Sequence, residues 1–175
     1  MIAHALSLSR LATAPVFAWA LLDLGRAPLA AGLLALAVAS DLLDGPVARA
    51  RGTASDLGRL LDHGSDFAFV ECGLLALAWT GALPLALPVL VGLAFAEYAI
   101  DSYGVGRARA LRPNPLGRWN GVLYFVLPGC VIAARLGAPL PAPAIGLFAW
   151  VLTLSTAVSI ASRLWALRGV SRSSG

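Results

Sequence analysis

Long apolar runs separated by short polar breaks dominate the chain. A membrane-spanning helix needs about 20 mostly apolar residues. The pattern predicts six such helices, over residues 9–24, 28–44, 60–80, 84–102, 118–136 and 142–167, the first starting at the membrane interface. Pro28, Pro84 and Pro141 mark helix starts, where a missing N–H costs little. Gly81 and Gly137 close the helices before them. The tail, residues 171–175, is polar and expected to fray. No internal repeat and no long linker divides the chain, so residues 1–175 read as one domain.

Composition sharpens the class. Of 175 residues, 59% are hydrophobic and only 13% charged; a soluble domain carries about 25% charged residues. The predicted class is an all-α integral membrane protein. The formal net charge is +4, and all 13 basic residues are arginine. That balance suits anionic lipid head groups. No arginine run is interleaved with aromatics, which argues against nucleic acid. Cys72 and Cys130 stand alone in apolar stretches and form no disulfide or zinc pattern. The first apolar run lacks a persuasive cleavage site and reads as a retained span. Eleven arginines fall at the two termini and the even-numbered connections, against Arg26 and Arg135 on the other side. The positive-inside rule then places both termini in the cytoplasm.

The acidic residues break the apolar pattern. Five of nine lie in one stretch, "SDLLDGPVARARGTASDLGRLLDHGSD": Asp41, Asp44, Asp56, Asp62 and Asp66. Asp41 and Asp44 are spaced i, i+3; Asp62 and Asp66 are spaced i, i+4. On helices each pair shares a face. The first pair ends the second span and the second pair opens the third. If those spans pack as an antiparallel hairpin, four carboxylates converge at the cytoplasmic surface. Even one Asp deep in a bilayer costs about 2.5–3.5 kcal/mol, and like charges repel. Two divalent ions, Mg²⁺ or Mn²⁺, would remove the conflict, because hard cations take carboxylate oxygens. Paired ions about 3.5–4 Å apart suit displacement at phosphorus. Gly45 and Gly58 let a phosphate approach the backbone, and Arg49 offers it a guanidinium. Asp56, beside Ser55, fits a helix cap instead.

The stretch resembles the signature of the CDP-alcohol phosphotransferases, D-x2-D-G-x2-A-R-x8-G-x3-D-x3-D. Asp41, Asp44, Gly45, Ala48, Arg49, Gly58, Asp62 and Asp66 match every position and every gap. Residues 6–15, "LSLSRLATAP", also resemble the L-[ST]-x-x-R-x4-P segment of bacterial members. The resemblance implies six membrane helices with the active site at the cytoplasmic end of helices 2 and 3, and a homodimer. It implies transfer of a phosphate-bearing group from CDP-diacylglycerol, or another CDP-alcohol, to an alcohol acceptor, releasing CMP. By the same resemblance Asp41, Asp44, Asp62 and Asp66 bind two metal ions, and Asp66 is the general base. Gly45, Ala48, Arg49 and Gly58 line the cytidine and pyrophosphate site beside Asp41 and Asp44.

The acceptor is less sharply written. Arg107, Arg109, Arg112 and Arg118 stand close together on the cytoplasmic side. They can dock an acceptor phosphate, or simply fix topology. Residues 115–121, "PLGRWNG", resemble the G-K-x-K-T segment of phosphatidylglycerophosphate synthases at Arg118, but depart from it at Asn120 and Gly121. Glycerol 3-phosphate is the favoured acceptor. Inositol phosphate, serine or phosphatidylglycerol are alternatives, as is a CDP-choline or CDP-ethanolamine donor. A small cation transporter is the remote alternative; it would need carboxylates but not the fixed glycines and arginine. Glu97 and Asp101, at i, i+4 on the fourth span, and the isolated Glu71 are ionisable groups at depth, which makes them candidates for contact with the acceptor. His63 reads as a neighbour of the site.

Overall fold

A computed structural model describes the backbone of residues 2–51, 56–103 and 115–172, and the side-chain surroundings of 8–40, 63–100 and 115–165. Its described residues form six α-helices: α1 (Ile2–Leu21), α2 (Ala27–Arg51), α3 (Asp56–Trp79), α4 (Ala86–Tyr103), α5 (Pro115–Arg135) and α6 (Ala142–Arg172). A short 3-10 turn, Leu24–Arg26, joins α1 to α2.

Several helices outrun their apolar runs. The first begins at Ile2 rather than residue 9, and α2 continues through Gly45 and Pro46 to Arg51. Good helix formers such as Ala48, Arg49 and Ala50 carry it past the apolar segment. Asp56 opens α3, where a carboxylate complements the helix dipole. The last helix reaches Arg172, so Ser171 is helical rather than frayed. Two ends match the sequence reading closely. Gly81 (φ +76°) and Gly137 (φ +96°) each follow a helix in the left-handed conformation. The Ala82 N–H donates to the Leu77 carbonyl and the Gly81 N–H to Ala78; Ala138 to Ala133 and Gly137 to Ala134 repeat the pattern. Both are Schellman caps, which satisfy carbonyls that the helix itself leaves open.

Side-chain contacts fix the helix directions. Arg10 meets Asp66, Phe17 stacks on Phe69, and Gly73 lies under Phe17 and Leu21. Positions rise together on both helices, so α1 and α3 are parallel. His63 meets Tyr98, Phe67 stacks on Phe95, and Glu71 faces Gly92. These contacts run in opposite order, so α3 and α4 are antiparallel. Gly117 with Ser159, and Asn120 with Ser155, set α5 and α6 antiparallel in the same way. Arg135 donates to the Leu21 carbonyl at 2.7 Å, which brings the final turns of α1 and α5 to one end. The helices therefore alternate in direction. Both ends of the signature, the close of α2 and the opening of α3, lie at the other end of the bundle.

The core is aliphatic and aromatic, with Phe17, Phe69, Leu74, Leu77, Leu87, Leu127 and Leu152 fully buried. Large apolar side chains also face outward, among them Leu147, Trp150, Leu154 and Val158 along α6. An apolar outer surface of this extent belongs to a protein in contact with lipid or a partner. Pro115–Arg135 and Ala142–Trp165 are long and apolar enough to cross a membrane, and Leu8–Leu21, Leu24–Ser40 and Ala86–Ile100 are shorter apolar helices.

The α1–α3 seam depends on a missing side chain. A Cβ on Gly73 would sit 2.5 Å from Phe17 Cε1. Phe17 cannot swing aside easily, because its ring is stacked on Phe69 at a centroid distance of 4.4 Å. Gly73→Ala is therefore expected to lower stability by about 1–3 kcal/mol despite the better helix propensity of alanine. Gly92→Ala, whose Cβ would meet only Glu71 Oε1 at 3.7 Å, is the control. Thermal unfolding in detergent compares the two; equal midpoints would contradict the seam.

Candidate active site

The signature is divided between two helices. Asp41, Asp44, Gly45, Ala48 and Arg49 lie on the last turns of α2, and Gly58, Asp62 and Asp66 on the first three turns of α3. Because both segments are helical, each aspartate pair shares one helix face. Gly45 and Gly58 stand within helices, not in the connecting turn. That turn, residues 52–55, lies outside the described residues, as do the side chains of Asp41, Asp44, Gly45, Ala48, Arg49, Gly58 and Asp62.

The facing side chains of the expected α2–α3 hairpin lie outside the described residues. Among the described residues, α1 packs along both α2 and α3, while α2 and α3 make no extended contact with each other. Among the described residues the parallel α1–α3 seam is the most extensive. An N-terminal helix thus shares in building the site end, a part that no spacing of aspartates could have announced.

Asp66 is the signature residue whose side chain is described. Its Oδ1 forms an ion pair with Arg10 Nη1, and Arg10 is 2% exposed. Arginine at that position had counted among the topological surface charges; in the fold it is buried in the α1–α3 seam. The side chain of Asp66 keeps 19% of its surface exposed, yet Oδ1 contributes essentially none of it. Removing one partner of a buried ion pair typically costs about 3–5 kcal/mol, since the other charge stays behind. The only sequence sign of this role was the weaker N-terminal segment, in which Arg10 is the fixed basic residue.

The four signature aspartates carry carboxylate oxygens, the hard donors that a divalent cation takes. Among the described residues no group of three acidic, His or Cys side chains forms a metal cluster.

The other candidates are spread out. Arg118 is exposed on the first turn of α5. Arg107, Arg109 and Arg112 lie outside the described residues. His63 is exposed and sets its ring edge against Tyr98 at 5.7 Å. Glu71 turns away from the α1 seam toward α4, and its buried Oε2 has no hydrogen-bond partner among the described residues. Glu97 lies on α4 with Oε2 buried, and Asp101 falls in the last turn of α4 with its side chain outside the described residues. Cys72 and Cys130 are half-buried free thiols.

One polar feature escaped the sequence reading. Tyr124 and Thr156 are hydrogen-bonded at 2.8 Å, and Ser155 donates to Asn120 Oδ1 at 2.7 Å. Thr156 gives its own proton to the Leu152 carbonyl, so the Tyr124 hydroxyl is the donor to it. Asn120 is 2% exposed. The i, i+4 spacing of Asn120 and Tyr124 in an apolar span was the available signal, because polar side chains there join helices.

Comparison with known proteins agrees with this organisation. The model of the CDP-alcohol phosphatidyltransferase family matches residues 1–168. The chain belongs to that family. It is 38% identical over 126 residues to "Cardiolipin synthase (CMP-forming)" of Streptomyces coelicolor, an alignment that covers 67% of this chain and 58% of that protein. It is 37% identical over 121 residues to "CDP-diacylglycerol--glycerol-3-phosphate 3-phosphatidyltransferase 1, chloroplastic" of Oryza sativa subsp. japonica, with 69% of this chain and 35% of that protein covered. The chain thus spans little more than half of the first relative and about a third of the second.

Tyr124→Phe removes a hydroxyl that joins α5 to α6 without changing the ring. It is expected to lower stability by about 0.5–1.5 kcal/mol, read as the thermal midpoint in detergent. An unchanged midpoint would show that the bond makes no net contribution.

Proposed function

We propose that the chain is a six-span membrane enzyme that transfers a phosphatidyl group from CDP-diacylglycerol to an alcohol and releases CMP. The observation that carries this is the complete signature, divided between α2 and α3 and brought to one end of the bundle. Leaving aside the buried Arg10, ten of the thirteen arginines stand in the C-terminal segment and the two even-numbered connections, which supports a cytoplasmic site and cytoplasmic termini. The active unit is a homodimer, as the resemblance implies.

In this reading Asp41, Asp44, Asp62 and Asp66 hold two Mg²⁺ or Mn²⁺ ions. When bound, the ions supply charge neutralisation for the pyrophosphate and the leaving CMP. Gly45, Ala48, Arg49 and Gly58 receive the cytidine and phosphates. Asp66 takes the proton of the acceptor hydroxyl. The hydroxyl oxygen then bonds to the phosphorus that bears diacylglycerol, and the bond from that phosphorus to the CMP oxygen breaks.

Glycerol 3-phosphate remains the leading acceptor, with Arg107, Arg109, Arg112 and Arg118 receiving its phosphate. The rice relative's name includes this substrate. The Streptomyces relative favours a second reading, cardiolipin formation with phosphatidylglycerol as the acceptor.

The test is CMP release by purified protein from CDP-diacylglycerol with Mn²⁺ or Mg²⁺, each acceptor supplied separately. Release with one acceptor, and its loss in EDTA, is expected. Asp66→Asn should lower turnover by about 10²–10⁴-fold, the usual contribution of a general base. Full turnover in that variant would sink the assignment of Asp66. Absence of release with every acceptor would overturn the proposed reaction.

A further inference from the structure

The Arg10–Asp66 pair joins a helix that carries none of the eight signature residues to the last signature aspartate. Stability alone is a poor reason for it. Buried ion pairs add little over apolar residues of the same shape, and the seam is already closed by the Phe17–Phe69 stack and the close approach at Gly73. Topology is a poor reason too, since a charge buried to 2% exposure does not face the aqueous surface.

What the pair does distinctively is to choose an oxygen. Arg10 engages Oδ1, which is sealed from solvent, while part of the Asp66 side chain stays exposed. A guanidinium is a planar, rigid set of donors. Bound to one carboxylate oxygen, it restricts rotation of the whole group. We propose that Arg10 is a positioning residue: by holding Oδ1 it fixes the Asp66 carboxylate so that Oδ2 is the oxygen left for the metal side of the site and for the acceptor hydroxyl. This rests on the reading of Asp66 as the base. In this role Arg10 acts through Asp66. A base must lie within hydrogen-bond reach of the proton it takes, and an error of about 1 Å in placement can cost 10²-fold.

The test uses the full chain, with wild type, Arg10→Gln, Arg10→Lys, Asp66→Asn and the Arg10→Gln/Asp66→Asn double variant. CMP release should show kcat down by about 10²-fold in Arg10→Gln. The KM for CDP-diacylglycerol, and CDP affinity by calorimetry, should stay within about threefold, because Asp41, Asp44 and Asp62 still hold metal and the nucleotide-facing residues are unchanged. Arg10→Lys keeps the charge but loses the planar fork, and should lose at least about tenfold in kcat. Wild-type kcat in Arg10→Lys or Arg10→Gln overturns the proposal; if Arg10→Gln does not fold, Arg10→Lys decides. So does a fall in kcat accompanied by an equal loss of CDP binding, which marks a purely structural role. A second readout needs no turnover. In EDTA, Arg10→Gln should lower the thermal midpoint, and adding Asp66→Asn should recover most of that loss; no recovery would mean that the two side chains are not coupled. Asp66→Asn separates the two ideas: if it is active, the base assignment fails, whereas if it is inactive beside a fully active Arg10→Gln, only the positioning role fails.

Discussion

A charge inside an apolar bundle must be met by an opposite charge, and the site end of this fold is arranged around one such meeting. Arg10 and Asp66 face each other where α1 and α3 run side by side. Neither could be buried at tolerable cost alone. Their pairing is in register with the positions that follow, Phe17 on Phe69 and Gly73 beneath Phe17, along the α1–α3 seam. Since α1 also packs on α2, one helix with no signature residue touches both helices that carry the signature.

Much of the fold could be read from the chain because the code for an apolar helical bundle is coarse. Apolar runs give helix number, and glycine gives the ends: Gly81 and Gly137 are where the left-handed conformation is needed, and no other residue adopts it as cheaply. Boundaries at the site end were harder to place. Hydropathy falls there while helix propensity does not, so α2 continues to Arg51 and α3 starts at Asp56.

The candidate site was written in the sequence as its aspartates, while its support was not. Four carboxylates at helical spacing announce themselves in an oily sequence. Arg10 does not, because a buried arginine and a surface arginine are written with the same letter, and its partner is far away in sequence. The Asn120–Ser155 and Tyr124–Thr156 links are of the same kind. Each joins residues more than thirty positions apart, and only the antiparallel packing of α5 on α6 brings them together.

The parallel course of α1 and α3 bears on how the protein is made. Synthesis runs from the N-terminus, so Arg10 leaves the ribosome fifty-six residues before Asp66. For that interval the basic end of α1 is best served by water and lipid phosphates, and the apolar part that follows can enter the bilayer first. Arrival of α3 then supplies the counter-charge that lets the start of α1 settle inward. The α1–α3 seam thus closes only once the third helix has been made, with three helices still to follow.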